Sequence, residues 1–165
     1  MRDNDLFRGR VLKYDGYGND MENIEEEGTW VEGLLLCNDW DETYIVPVKT
    51  DGCTSFERSD WGLKLRYYNF VDYRTIGRCT GVKDKHGKLI FEGDIVKIYD
   101  KIAKNYHVGT VFWQNARFVV KVEGLTEDSG LDEYWDLFWE LHFNADGTSK
   151  VELIGNIHDN PELLQ

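Results

Sequence analysis

The sequence predicts a mostly β fold with one short helix, its second half arranged as a small barrel or sandwich. Three observations predict it. Short runs rich in β-branched and aromatic residues recur along the chain, bounded by Gly, Asn and Asp. In the second half, tight turns join these runs at barrel-like spacing. Hydrophobic residues make up 41% and aromatics 14% of 165 residues, with only 2 prolines, which argues for a packed core over disorder. That length fits one ordinary domain or two small ones. A division into 1–76 and 77–165 is drawn, although no repeat or Gly/Ser linker marks it.

Residues 6–14 (Leu6 to Tyr14) alternate and read as the first strand, and Asp15 to Asp20 is a turn-rich break. Glu25, Glu26 and Glu27 read as a solvated loop. Trp30 to Cys37 is an apolar run, and Tyr44 to Val48 is short and β-branched, so both read as strands. The polar stretch 49–62 reads as one long loop, and Leu63 to Tyr68 alternates again. Thr80-Gly81 and His86-Gly87-Lys88 read as turns, with Leu89-Ile90-Phe91 before Glu92-Gly93-Asp94. Ile95 to Tyr99 and Tyr106 to Trp113 follow as strands. Gln114-Asn115-Ala116 is short enough for a hairpin loop before Phe118 to Val122.

Leu131 to Leu141 satisfies two periods at once. Leu131, Tyr134, Trp135, Phe138 and Trp139 form a helical stripe, and Ser129 stands three residues before Asp132 as an N-cap. Leu137, Trp139, Leu141 and Phe143 also alternate. The reading is a short helix from about residue 130 that gives way to strand. Val151 to Ile157 is the final strand. Asn160 as N-cap and Pro161 at the first helical position start one last turn.

The chain holds 31 acidic against 19 basic side chains, a formal net charge of -12. That balance argues against nucleic acid, whose phosphates need clustered Lys and Arg. No apolar run approaches the roughly 18 residues a membrane span needs. The charged start, Met1 to Arg10, lacks the apolar core of an export signal, so a soluble cytoplasmic protein is expected. Cys37, Cys53 and Cys79 form no CxxC pair, and His86, His107, His142 and His158 form no HxxxH pattern. No metal, cofactor or disulfide is therefore expected. Cys37, inside Gly33 to Asn38, reads as a buried small hydrophobe.

No nucleophile, phosphate-loop or deaminase motif is present, so no catalytic residue is named. The charge is uneven, however. Glu123, Glu127, Asp128, Asp132, Glu133, Asp136, Glu140 and Asp146 follow one another with no intervening Lys or Arg. Asp132, Glu133, Tyr134, Trp135, Asp136, Trp139 and Glu140 combine acid with aromatic side chains, which suits a partner with a basic face. A solvated face over a core stripe accounts for the same pattern and weighs more. Arg78, Lys83, Lys85 and Lys88 form a basic cluster that could hold a phosphate beside an aromatic ring, the chemistry of a nucleotide binder. Glu92 and Asp94 could be posed as hydrolase or metal acids, but their spacing says little about geometry. Turn chemistry is the better account: Gly93 permits a positive φ and Asp94 can accept backbone N–H bonds. Gly81 and Gly87 read as turn residues, and Gly155-Asn156 as a bulge that lets the last strand close the barrel.

Several blocks together resemble a known family. Thr80-Gly-Val-Lys-Asp-Lys-His-Gly-Lys-Leu-Ile-Phe-Glu-Gly-Asp-Ile-Val96 looks like the central signature of the YopX family of phage and prophage proteins. Val151-Glu-Leu-Ile-Gly-Asn-Ile-His-Asp-Asn-Pro-Glu-Leu-Leu164 is similar to its C-terminal signature, and Gly109-Thr-Val-Phe-Trp113 to a strand between them. Phe7-Arg-Gly9, Trp30-Val-Glu-Gly33 and Thr75-Ile-Gly77 match one branch of the family. Two departures, Asp72-Tyr73-Arg74-Thr75 and Arg78-Cys79, fall at the junction between halves. The resemblance implies an SH3-like small barrel in the C-terminal part, packed on an N-terminal β-rich region. It also implies a homo-oligomer and no enzyme activity. The leading functional expectation is a non-enzymatic accessory protein that binds a protein or self-assembles. A nucleotide-binding or sequestering protein is the alternative, and an acid-pair or metal-dependent hydrolase the second.

Overall fold

In the computed structural model, residues 5–13, 25–37, 42–48, 56–59, 62–65, 68–100, 104–122, 134–136 and 149–165 are described. The chain divides into two compact units, Met1–Arg78 and Cys79–Gln165. In the first unit the strands are β1 (Phe7–Arg10), β2 (Trp30–Cys37), β3 (Thr43–Pro47), β4 (Phe56–Ser59), β5 (Gly62–Leu65), β6 (Asn69–Phe70) and the start of β7 (Gly77–Lys83). Antiparallel pairing gives the order β6-β3-β2-β1-β7. Val11, Val31, Ile45 and Val71 form the core, with Phe7, Leu35 and Ile76 packed against it. Alternation selects these residues: in β2, Val31 and Gly33 are buried while Glu32 between them is exposed. Gly33 is required by the spacing to β3, because a Cβ there would strike the Val46 carbonyl oxygen.

β4 and β5 form a hairpin in register Phe56↔Leu65 to Ser59↔Gly62. This corrects the long loop expected over 49–62. Phe56-Glu57-Arg58-Ser59 has a single apolar residue, too few to show a period of two. Cys37 needs a second correction: it is exposed, not buried. Burial in β2 fades toward its end, where Leu36 is also exposed.

In the second unit, the remainder of β7 pairs with β8 (Leu89–Phe91). A five-stranded antiparallel sheet follows: β9 (Asp94–Asp100), β10 (Asn105–Gln114), β11 (Arg117–Val122), β12 (Tyr134–Asp136) and β13 (Glu152–Asn156), in the order β12-β11-β10-β9-β13. Val82, Ile90, Val96, Ile98, Val111, Phe118, Val120, Val122 and Val151 form its core. Fully burying each such aliphatic or aromatic side chain contributes about 1.5–3 kcal/mol, before entropy is set against it. The β10–β11 turn holds Asn115 at φ 50° and Ala116 at φ 62°. Those values suit a two-residue hairpin loop that follows the twist of its strands.

Among the described residues no sheet closes into a barrel, and the SH3-like expectation is overturned. β12 and β13 stand at opposite edges of an open sheet. The outward side of β13 is already occupied: Lys85 N–H donates to the Val151 carbonyl at 2.8 Å, and Leu153 N–H to the Asp84 carboxylate at 3.4 Å. What bonds to the chain on that side is the 84–88 turn, not a strand. Gly155 follows an irregularity in the β13–β9 register, but pairing with β9 resumes at Gly155 and Asn156 and the bulge closes nothing.

The short helix expected from about residue 130 is likewise overturned where the chain is described. Tyr134–Asp136 is strand, paired Lys121↔Tyr134, Val120↔Trp135 and Val119↔Asp136. Tyr134 and Trp135 fitted the helical stripe, and the edge of β11 supplied the partners that decided for strand. Among the described residues the helical pieces are short 3-10 turns, including Tyr73–Thr75 and Pro161–Leu164. Thr80-Gly81, expected as a turn, lies within β7, where Gly81 at φ 76° sits in a register shift. Thr80 stitches the irregularity: its hydroxyl donates to the Ile90 carbonyl at 2.8 Å and accepts from Val82 N–H at 3.0 Å. No helix of the described residues is long and apolar enough to cross a membrane.

Candidate partner-binding site

Two glycine-containing segments of the second unit, the Gly93 turn and the chain after Gly155, meet at one place. β10 outruns β9 at its end, so its last backbone groups need other partners. Gly93 N–H donates to the Val111 carbonyl at 2.8 Å, and Trp113 N–H donates to the Glu92 carboxylate at 3.2 Å. Gly93 holds φ 84°, which lets the chain reverse there without a Cβ in the way. Asp94 is fully buried and its carboxylate accepts from Phe91 N–H at 2.8 Å, which fixes the turn from inside. On the other side Ile157 N–H donates to the Gly93 carbonyl at 2.9 Å.

The chain after β13 is wound by Asn156. Its side-chain oxygen accepts from His158 and Asp159 N–H at 2.9 and 3.0 Å, and its amide donates to Asp159 Oδ2 at 2.9 Å. Asn160 makes no side-chain cap to the 3-10 turn that Pro161 begins; its Oδ1 instead accepts from Asn156 N–H at 3.4 Å. A Cβ on Gly155 would lie 2.6 Å from Asn160 Oδ1 and 2.9 Å from Leu163 Cδ1, so the C-terminal turn folds back over this glycine.

Of the acidic-aromatic candidates, Asp132, Glu133, Trp139 and Glu140 lie outside the described residues. Tyr134, Trp135 and Asp136 form β12 at the edge of the sheet. The basic candidates do not act as one group of open charges. Arg78 belongs to the first unit, where its guanidinium lies 5.9 Å from the Phe7 ring centroid. Lys85 Nζ pairs with Glu152 at 2.9 Å. That hydrogen bond, with lesser help from the charges of Lys85, Lys97 and His86, holds the Glu152 carboxyl below the usual glutamate range. Lys88 serves the 84–88 turn through its backbone: Asp84 Oδ1 accepts from His86 N–H at 2.8 Å and Lys88 N–H at 2.9 Å. Lys83 is exposed at the end of β7, and Gly87 at φ 84° has open space beside it.

Three features escaped sequence reading. Asp84, buried at 5% exposure, organises the turn more than the glycine does. Its signal was present as an Asp two and four residues before the amides it serves. His107 Nε2 stands 3.6 Å from Asp100 Oδ2, both largely buried. Only the β9–β10 register brings them close. The third is an aromatic face: Tyr106 is 61% exposed, its ring 5.0 Å from that of Tyr99, with Lys97 Nζ 4.6 Å above it. The cross-strand pair Tyr99↔Tyr106 produces this contact.

Comparison with known proteins gives a consistent picture. No curated protein matches the chain. The crystal structure of protein yopX from Bacillus subtilis is similar at 20% identity and TM-score 0.46, covering 98% of this chain and 99% of that one. The structure of protein EF1440 from Enterococcus faecalis is similar at 24% identity and TM-score 0.42, covering 76% of this chain and 92% of that one. The family model described as YopX protein matches residues 18–165. The chain therefore belongs to the YopX family of phage and prophage proteins.

Proposed function

We propose that this protein is a non-enzymatic phage or prophage accessory protein of the host cytoplasm that works by protein contact. It binds a partner with a basic face or assembles with copies of itself, through an acidic chain that displays aromatic side chains. The observation that carries this reading is Tyr106, 61% exposed and stacked beside Tyr99 on an open sheet. Exposed tyrosine anchors interfaces because it buries large area at small entropic cost, and the -12 charge adds long-range steering toward basic surfaces. The nucleotide reading has less support, since Lys85 is held by Glu152.

Light scattering across a concentration series, at low and moderate salt, tests the proposal. Concentration-dependent association, or a salt-sensitive partner captured from host lysate and lost in Tyr106→Ser, is the expected result. A strict monomer that captures nothing overturns it.

A further inference from the structure

We infer that the junction of the two turns is a docking surface for a protein segment that places an apolar residue beside Arg or Lys. The inference rests on the protein-contact reading but uses a different part of the second unit. Trp113 is 43% exposed, Ile157 39% and Leu163 38%. Trp113 packs edge-on against Phe118, with ring centroids 4.8 Å apart. Trp113 and Ile157 flank the Glu92-Gly93 turn, one tied to Glu92 and the other to Gly93 through its backbone N–H. Leu163 joins them from the C-terminal turn, over Gly155.

The chemistry around these side chains selects the occupant. Glu92, Asp159 and Glu162 supply carboxylates at the rim, and Asp159 and Glu162 belong to exposed turn positions. Arg117, at the β10–β11 hairpin, and His158 are the basic groups nearby in the chain. A second copy would bring the same excess of carboxylates to the contact, so the complementary partner is basic and foreign. An apolar centre with a charged rim is the usual anatomy of a specific contact. The backbone here is also preorganised: the turns are pinned to each other and to β10, so binding orders side chains only.

The test is an NMR titration of the full-length 15N-labelled chain with a synthetic peptide alternating Leu and Arg. Two control peptides alternate Ser with Lys and Leu with Glu. The expected shifts concentrate on Glu92, Gly93, the Trp113 indole, Ile157 and Leu163, for the Leu–Arg peptide alone. Trp113→Ser weakens binding by about tenfold or more, equivalent to about 1.4 kcal/mol. The double variant Glu92→Gln with Glu162→Gln, which keeps an acceptor for Trp113 N–H, weakens binding and flattens its salt dependence. Ile157→Ser gives the same loss at a position without a ring packed on the core.

Shifts scattered elsewhere, equal response to the Ser–Lys peptide, or undiminished binding by Trp113→Ser and Ile157→Ser each overturn the inference. So does concentration-dependent shifting of these residues without peptide, which would make a second copy the occupant. If Tyr106→Ser abolishes association while these residues stay silent, the docking surface fails and the protein-contact reading stands. If neither association nor peptide binding occurs, both fail.

Discussion

In the first unit, polar side chains tie together segments far apart in the sequence. Thr75 Oγ1 accepts from Arg10 N–H at 2.9 Å across 65 positions, and Asn69 Oδ1 accepts from Glu25 N–H at 2.9 Å across 44. In the second unit buried carboxylates do the corresponding work, and mostly locally: Asp94 bonds Phe91 three residues back and Asp84 bonds His86 and Lys88 just ahead, although Asp84 also accepts from Leu153 N–H at 3.4 Å, 69 positions away. Neutral long-range stitches require loops to close before they form, whereas a carboxylate in a turn acts as soon as its hairpin does. The difference teaches where each unit is brittle. The first depends on strand packing being correct throughout, and the second on a few turn residues.

The largest expected effect tests whether the units are separately breakable. Gly33 in the first and Gly109 in the second are both close-approach positions. A Cβ on Gly33 would overlap the Val46 carbonyl, and one on Gly109 the Lys121 carbonyl and Val120 Cγ1. Backbone cannot give way as a flexible side chain does, so Gly33→Ala and Gly109→Ala each cost roughly 3 kcal/mol or more. The two core clusters share no residue. Gly33→Ala is therefore expected to broaden first-unit amide signals and spare Val96, Val111 and Val120. Simultaneous loss of both sets would merge the two regions into one cooperative body.

Next in size is the carboxylate itself. Asp94→Ala leaves the buried Phe91 N–H without its partner, at a cost of about 1–3 kcal/mol, while Asp94→Asn keeps an acceptor and loses less. In the first unit, Thr75→Val removes the acceptor for Arg10 N–H and the donor to the Asp72 carbonyl, for about 1 kcal/mol. Urea midpoints of these variants should rank Asp94→Ala below Thr75→Val. The reverse order would contradict the claim that the second unit hangs on its turns.

How much of this was legible follows the same division. In the second unit β9, β10, β11 and β13 were legible because turn residues bound them, as in Glu92 to Asp94, whereas β7 and β12 were not. The hairpin at Asn115 and Ala116 was legible from loop length alone. What failed were features set by partners. Tyr134 and Trp135 fitted a helical stripe, and only pairing with the edge of β11 decided for strand. Closure into a barrel depends on whether β13 meets a further strand, and among the described residues the sheet ends with it. β4 lacked any apolar period, so pairing with β5 was invisible. The docking surface combines Trp113 with Ile157 and Leu163, residues some forty to fifty positions apart whose proximity no local pattern records.

A smaller effect, of opposite sign, is expected at Ala116. Its φ of 62° is one that L side chains enter at a cost and glycine does not. Ala116→Gly relieves that strain but loosens the unfolded chain, leaving a net gain of about 0.5 kcal/mol. A rise in melting temperature of the second unit alone would sharpen the view that its turns limit its stability. A fall would show that the β10–β11 hairpin tolerates its strain for packing reasons.

The smallest effect concerns an acid that is not buried. Lys85 and Glu152 pair at 2.9 Å, with side chains 40% and 32% exposed. The hydrogen bond from Lys85 lowers the Glu152 pKa in the folded state from its ordinary 4.5. A depressed folded value means that this pair stabilises the fold above the ordinary glutamate range and that the contribution disappears as pH falls through the folded value. Water and salt screen both groups, so the effect is slight. Lys85→Gln should therefore lower the melting temperature a little at neutral pH, and the difference should shrink toward zero in acid and in high salt. A difference that persisted below the folded pKa would mean that the Lys85 side chain supports the fold through the packing of its stem, not through its charge.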